Sequence, residues 1–292
     1  MARRELFLAL MCVAASALDG GASARTMVGV YELKKGDFSV KVTNWGATIM
    51  SVILPDSRGR TRGGRGFHKV VWTVKEYVAG GDSPYITLYY RVSAGSGSPY
   101  ALGVHMNATA LDKATPVNLL RHTYWNLAGH GHGDVLGHTL RLFASRYTPL
   151  DAEMLPSSGR VASVAGTPFG FRAPTPIGAR IRGVMGGRVA GYDDANYVVD
   201  GEPGAMRPVA AVWDGASGRA LELWGNQPCV QLYTANWLNH TAGKAGEVYD
   251  RYAGFCLETQ GYPDAVNHPA FPSQILRRGQ VYRHDMVFKL SF

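Results

Sequence analysis

Cysteine is scarce in this sequence, with 3 residues among 292, and charged residues make up only 18%. Cys12 lies in the N-terminal segment, whereas Cys229 and Cys256 each lie within an apolar run. The scarcity excludes a disulfide-rich scaffold, and no His or Cys spacing corresponds to a structural zinc site. Cys229 and Cys256 form either one disulfide or two buried thiols, and the sequence leaves both alternatives open.

Long helix-forming runs, internal repeats and segments long enough to cross a membrane are also missing. The sequence is 46% hydrophobic and contains 36 glycines and 15 prolines. That apolar content excludes a disordered chain, and the frequent turn residues favour short strands over long helices. We therefore expect a folded β protein that does not span a membrane.

The N-terminus has the three parts of an export signal. Arg3 and Arg4 form a basic start, residues 6–18 are apolar, and Ala22-Ser-Ala24 supplies small residues for cleavage. A buried first helix is the alternative, but the segment lacks an amphipathic pattern. The pattern predicts a signal peptide over residues 1–24 and secretion of the remainder.

The formal net charge is +8, and the densest basic run covers residues 58–69. Arginine alternates with glycine there, which is also a pattern of segments that bind nucleic acid through charge and base stacking. The run is short, contains a single aromatic residue, and lies inside a chain with a folded composition. We interpret it as a solvated loop and expect no nucleic-acid partner.

Many short segments alternate apolar and polar residues with a period of two, which is typical of half-buried strands. These segments lie at residues 38–43, 49–54, 70–74, 85–92, 102–111, 116–126, 140–150, 196–199, 209–213, 221–224, 229–234 and 281–292. Turn residues separate them, and no linker divides the chain. The pattern predicts an all-β fold, a large antiparallel β-sandwich over residues 25–292.

Three places carry residues suited to acid–base chemistry. Glu258 follows the apolar run 255–257, His122 lies among aromatic residues, and Asp193 and Asp194 precede a strand. A carboxylate beside an apolar run is costly to bury unless it is paired or used in catalysis. Each residue also has a purely structural alternative, since ion pairs and hydrogen-bonded core histidines are common.

Several motifs, in order, resemble the aldose 1-epimerase (galactose mutarotase) family, and residues 65–77 resemble its plant members. The motifs are Thr115-Pro-Val-Asn118, His122-Thr-Tyr-Trp-Asn-Leu-Ala-Gly129, Arg146-Tyr-Thr-Pro149, Gly166-Thr-Pro-Phe169, Pro174-Thr-Pro-Ile-Gly178, Gln231-Leu-Tyr-Thr-Ala-Asn236 and Phe255-Cys-Leu-Glu-Thr-Gln260. Together they cover residues 28–292. The resemblance implies a galactose mutarotase-like β-sandwich that interconverts the α and β anomers of hexoses such as galactose and glucose.

The resemblance also implies roles for individual residues. Glu258 matches the base that takes the proton of the anomeric hydroxyl, and His122 matches the acid that protonates the ring oxygen. Gln231 and one aspartate of the 193–194 pair match sugar ligands, and counting back from Asn196 favours Asp194. The family's reaction implies no metal or organic cofactor. A small sugar is the expected partner, and a monomer is expected.

The sequence departs from the family pattern at two places, so we expect a partly truncated sandwich. After residue 58 the family continues through a long segment that contains an Asn-Arg pair and a second active-site histidine, and Arg62 stands near that histidine's place. A shorter gap falls at residues 93–99. Losing these residues removes part of the sugar-binding wall. A non-catalytic carbohydrate-binding relative is therefore the alternative function.

Overall fold

The computed structural model describes residues 8–10, 30–35, 38–43, 48–53, 85–93, 100–111, 113–151, 156, 158–186, 189–193 and 195–292. Within these ranges the chain forms 23 strands and three short 3-10 helices, and no α-helix. The all-β prediction is confirmed. Arg62, Asp194 and the strand predicted at residues 70–74 lie outside the described residues. No helix in the described part is long and apolar enough to cross a membrane.

The elements follow one another along the chain with few residues between them. They are β1 (Leu8–Leu10), β2 (Val30–Lys35), β3 (Phe38–Thr43), β4 (Thr48–Ile53), β5 (Tyr85–Ser93), β6 (Tyr100–Thr109), β7 (Thr115–Pro116), β8 (Tyr124–Trp125), β9 (Thr139–Leu142), β10 (Ala144–Tyr147), β11 (Ala162–Ser163), β12 (Thr175–Pro176), the 3-10 helices Ile177–Ala179 and Ile181–Gly183, β13 (Met185–Gly186), β14 (Val189–Ala190), β15 (Ala195–Val199), β16 (Arg207–Trp213), β17 (Ala220–Gly225), β18 (Cys229–Tyr233), β19 (Thr241–Ala242), the 3-10 helix Lys244–Gly246, β20 (Val248–Tyr249), β21 (Phe255–Gln260), β22 (Ile275–Leu276) and β23 (Val281–Ser291).

Two large antiparallel sheets dominate the fold. The first has eight strands in the order β1-β5-β6-β23-β17-β16-β9-β12, and the second has six in the order β11-β10-β15-β18-β21-β8. A three-stranded sheet, β2-β3-β4, adds the buried side chains of Phe38 and Val40 to the main core. Neighbours in each sheet are antiparallel, as the period-two pattern predicted.

The two large sheets pack against each other through alternate side chains. Along β23, Met286, Phe288 and Leu290 are fully buried, and the residues between them are partly exposed. The Phe288 ring centroid lies 5.0 Å from that of Trp125, which belongs to β8 of the six-stranded sheet. Successive side chains of a strand point to opposite faces, so this alternation places one face of β23 in the core between the sheets.

Strand β21 is buried along its whole length because both of its faces are covered. Phe255 and Leu257 belong to the main apolar core. Thr259 hydrogen-bonds with His284 of β23 across the sheet interface. Since residues alternate along a strand, Cys256 and Glu258 point to the other face, away from the eight-stranded sheet.

The segment around His122 differs from the prediction of one continuous strand over residues 116–126. Only β7 and β8 are strands there, and residues 117–123 are irregular. The backbone of this segment is instead held by contacts with other elements, for example the bond from the Val117 N–H to the Gln274 carbonyl. An irregular segment can direct a side chain sideways into a site that a strand of the sheet could not reach.

Both cysteines of the described region are buried free thiols. Cys229 lies in β18 and Cys256 in β21, and these strands are neighbours in the six-stranded sheet. Of the two alternatives that the sequence left open, the structure has the pair of free thiols.

Candidate active site

The outer face of the six-stranded sheet assembles polar residues from three neighbouring strands. Asn196 of β15 pairs with Gln231 of β18, and Gln231 pairs with Glu258 of β21. Residues directly opposite each other in antiparallel strands point to the same face. Register therefore places a row of two amides and one carboxylic side chain side by side, although 62 positions separate Asn196 from Glu258 in the chain.

Glu258 is the most deeply buried acidic side chain of this row. Only 1% of its surface is exposed. Its neighbours along β21, Leu257 and Thr259, belong to the sheet interface, so the strand has no freedom to turn the carboxyl group towards solvent. Burying a charged carboxylate is unfavourable, and such a group marks a candidate functional site when it faces a titratable partner.

That partner is His122. Its Nε2 lies 3.3 Å from Oε1 of Glu258, and 23% of the His122 side chain is exposed. Two bonds hold the irregular segment that presents it: Asn118 Oδ1 accepts a hydrogen bond from the Gly261 N–H at 2.8 Å, and the Leu119 carbonyl accepts one from His284 Nδ1 at 3.1 Å. The structure thus brings together the acid and base that the sequence analysis predicted.

Aromatic and sulfur groups surround the His122 imidazole. Its ring centroid lies 5.1 Å from that of Tyr124 and 5.9 Å from that of Tyr233. Cys256 Sγ lies 3.4 Å from Nδ1. Burial in this environment lowers the pKa of His122 from 6.5 to about 4, and a hydrogen bond with the His122 backbone opposes the change.

One amide network orients the row. The Gln260 side-chain amide donates to Gln231 Oε1 at 2.8 Å and to Asn196 Oδ1 at 3.4 Å. Asn196 in turn donates to Thr148 Oγ1 at 3.1 Å. The sequence analysis assigned no role to Gln260 or Thr148, although both belong to quoted motifs. Their contacts depend on strand register, which residue order does not show.

Asp193 lies at the entrance of β15, two residues before its first residue. Its Oδ2 accepts a hydrogen bond from the indole N–H of Trp237, whose side chain is 52% exposed. The loop can approach this closely because residue 191 is glycine: a Cβ there would lie 2.5 Å from Cγ of Asn236. The structure therefore places Asp193 next to an exposed aromatic ring beyond the end of the row.

A second histidine supports the site from behind. His284 is fully buried, and its Nδ1 donates to the Leu119 carbonyl because a carbonyl can only accept. Its Nε2 therefore accepts from the Thr259 hydroxyl at 2.7 Å. This single neutral tautomer links β23 both to β21 and to the segment that carries His122. Burial lowers the pKa of His284 from 6.5 to about 4.

A large cavity of about 970 Å³ lies elsewhere, within residues 164–183. It is open and is lined by Arg172, Arg180 and Arg182 as well as by glycines and prolines. Neither His122 nor Glu258 is among its lining residues. Size alone therefore does not identify the reactive site, and the convergence of titratable groups does.

The β-sandwich with a buried carboxyl–imidazole pair resembles known solved structures in its fold. The aldose epimerase homologue from C. elegans superposes with a TM-score of 0.69 at 19% identity and covers 91% of this chain and 99% of its own. Galactose 1-epimerase from Lactobacillus acidophilus gives 0.64 at 19% identity, with 94% and 97% covered. At such low identity these likenesses show the galactose mutarotase-like fold.

Sequence similarity shows the family. A family model described as aldose 1-epimerase matches residues 85–289. Galactose mutarotase from Rattus norvegicus is 39% identical over 244 residues, which cover 78% of this chain and 68% of the rat protein. The Homo sapiens galactose mutarotase is 38% identical over the same shares. The chain belongs to the aldose 1-epimerase family.

Proposed function

We propose that this protein is an aldose 1-epimerase that interconverts the α and β anomers of free hexoses. The observation that carries the proposal is the 3.3 Å contact between His122 Nε2 and Glu258 Oε1 on the outer face of the six-stranded sheet. The reaction needs one group that accepts a proton and one that donates a proton within reach of the same hemiacetal. The names of the relatives, galactose mutarotase and aldose 1-epimerase, support the same reaction.

In the proposed mechanism, Glu258 accepts the proton of the anomeric hydroxyl while His122 donates a proton to the ring oxygen. The bond between C1 and the ring oxygen breaks, and C1 becomes an aldehyde carbon. Rotation about the C1–C2 bond exposes the other face of the aldehyde. On closure the two groups exchange roles, so the protons return and no co-reactant is consumed.

The protonation of His122 is the demanding part of this mechanism. Its lowered pKa makes the imidazole neutral at pH 7 in the unoccupied site. A bound sugar excludes water, and electrostatic attraction between Glu258 and a protonated imidazole is stronger in a less polar medium. Sugar binding is therefore expected to favour the charged pair that the reaction uses.

Sugar binding is proposed for Gln231, for Asp193 or Asp194, and for Arg62. Gln231 has the clearest support, because Gln260 fixes the orientation of its amide next to Glu258. The bond from Trp237 to Asp193 holds a carboxylate beside an exposed aromatic surface, a combination suited to hydroxyl groups and C–H faces of a sugar.

We also propose that the protein is exported as a monomer without its first 24 residues and has neither a nucleic-acid nor a membrane partner. The tripartite N-terminus supports export. In the structure Leu8–Leu10 pairs with β5 at the edge of the eight-stranded sheet, so cleavage would leave β5 as that edge. Sequencing the N-terminus of protein recovered from the medium, with light scattering for its mass, would test both statements.

Polarimetry tests the proposed reaction. The optical rotation of freshly dissolved α-galactose or α-glucose would be followed with and without the protein, in dilute buffer because buffers also catalyse mutarotation. Glu258→Gln keeps the size of the side chain and removes the base, so we expect activity to fall ~10²–10⁴-fold. Glu222→Gln changes an exposed glutamate of the other large sheet and should leave the rate unchanged.

The outcomes separate the two functions that the sequence suggested. Acceleration that Glu258→Gln abolishes and Glu222→Gln preserves would support the mechanism. Acceleration that survives Glu258→Gln would refute the role of Glu258 as the base. A protein that circular dichroism shows to be folded, that binds the sugar and that does not accelerate mutarotation, would instead be a non-catalytic carbohydrate-binding member of the family.

A further inference from the structure

The structure contains one cluster of potential metal ligands that the sequence spacing did not reveal. His122, Cys256 and Glu258 each supply a ligand atom, and these three atoms lie within 4.8 Å of one another. Cys256 and Glu258 are two residues apart on β21 and so point to the same face, while His122 enters from the irregular segment. Three elements of chemistry, thiol, imidazole and carboxyl, therefore converge at one point.

We infer that His122, Cys256 and Glu258 form a three-ligand site for a borderline or soft divalent cation such as Zn²⁺. Zinc is bound by Cys sulfur at ~2.3 Å and by His nitrogen or carboxylate oxygen at ~2.0–2.2 Å, which places tetrahedral ligand atoms roughly 3–4 Å apart. The measured separations, 3.4 Å from Cys256 Sγ to His122 Nδ1 and 3.3 Å from His122 Nε2 to Glu258 Oε1, match that spacing.

The chemistry of binding is a simple exchange of a proton for a metal. Zn²⁺ takes one imidazole nitrogen and one carboxylate oxygen, and the Cys256 thiol releases its proton as the Zn–S bond forms. The fourth position of the tetrahedron is left for water or for a sugar hydroxyl. A thiolate ligand favours Zn²⁺ or Cd²⁺ over Mg²⁺ and Ca²⁺, which prefer oxygen ligands.

The effect of this site on the proposed reaction would be inhibition. The metal occupies both His122 and Glu258, so neither can transfer a proton to or from the sugar. This effect rests on the proposed function, whereas binding of the metal does not. Binding is favoured by the fixed positions of the ligands, because the Asn118 and His284 contacts hold the segment of His122 against β21.

A spectroscopic titration tests the site without any need for turnover. Cd²⁺ added to the full-length protein should produce the ultraviolet absorption of a sulfur-to-metal charge transfer. Cys256→Ser keeps the shape of the side chain but removes the thiolate, so the absorption should disappear. Cys229→Ser is the matched control, since Cys229 is also a buried free thiol of the same sheet, and it should retain the absorption.

Inhibition provides the second measurement. Micromolar Zn²⁺ should slow mutarotation in the wild-type and Cys229→Ser proteins, a chelator should restore it, and Mg²⁺ should have no effect. In Cys256→Ser the half-inhibiting concentration should rise by at least the ~10–100-fold that the loss of even an outer partner of a ligand costs. Circular dichroism checks that each variant is folded.

Three results would overturn the inference. The first is a folded wild-type protein that shows no charge-transfer absorption with Cd²⁺. The second is absorption that Cys256→Ser retains, which would assign it to another cysteine. The third is Zn²⁺ inhibition that is equal in wild type and Cys256→Ser. A protein that shows the Cys256-dependent absorption but no mutarotation would support the metal site and contradict only the proposed function.

Discussion

The two faces of β21 differ in composition although both are buried. The face towards the eight-stranded sheet carries Phe255, Leu257 and Thr259, and the outer face carries Cys256, Glu258 and Gln260. The inner face packs against apolar side chains, with one hydroxyl paired to His284. The outer face contacts titratable and amide groups from three other segments.

This difference shows how one strand of six residues serves stability and chemistry separately. Apolar burial on the inner face fixes the position of the backbone, and the rigid backbone in turn fixes the carboxyl group of Glu258 on the other face. Substitutions on the inner face should therefore change the free energy of unfolding, and those on the outer face should change catalysis. The predictions below test that separation.

The largest expected change in stability comes from Leu257→Ala. The side chain is 1% exposed, and truncating a fully buried leucine leaves a cavity that costs about 2–5 kcal/mol. Chemical denaturation measures the loss. Under conditions where the variant is still folded, its rate of mutarotation per folded molecule should stay near that of the wild type.

Glu258→Gln is the matching change on the outer face. It should leave the free energy of unfolding unchanged or raise it, because burying a carboxylate is more costly than burying an amide. Activity should be lost instead. If Glu258→Gln unfolds the protein as much as Leu257→Ala does, the two faces do not have separate roles.

The next effect is a loss of stability in acid that arises from His284. The unfolded chain protonates this histidine near pH 6.5 and the folded chain only near pH 4, mainly because of burial and despite the nearby Asp285. The unfolded state therefore binds more protons between these values, and stability falls as the pH falls from 6.5 to 4. The shift corresponds to roughly 3 kcal/mol in total.

Denaturation curves recorded at several pH values measure this dependence. His284→Gln keeps one donor and one acceptor but takes up no proton, so its stability should vary less over the same window. Other buried histidines, such as His138, contribute equally to both proteins and cancel in the difference. An identical pH dependence in the two proteins would contradict the neutral tautomer inferred for His284.

The smallest effect is expected from Gln260→Ala, which removes the amide that orients Gln231. A hydrogen bond of this kind contributes about 0.5–1.5 kcal/mol, so KM should rise roughly 2- to 10-fold with little change in kcat. Steady-state polarimetry separates the two constants. Gln280→Ala, in an exposed turn, is the control and should change neither. A fall in kcat with KM unchanged would mean that Gln260 acts on the chemical step.

The sequence predicted the site and the fold to different extents. His122 and Glu258 were selected from local context and from family motifs, and the structure places them in contact. Most strands followed from the period-two pattern, and β23 is the clearest of them. The strand expected over residues 116–126 was wrong, because Tyr124 and Trp125 alone pair with β21 and tertiary contacts hold the rest.

Composition, alternation and motifs by themselves determined an all-β chain, its family and its candidate acid and base, because these properties depend on residue type and short-range spacing. Tertiary structure alone decided which residues stand beside Glu258. Asn196, Gln231 and Cys256 reach it through strand register and through the alternation of faces along β21. Register depends on long-range pairing and packing, so residues distant in the chain become neighbours for reasons that no local pattern contains.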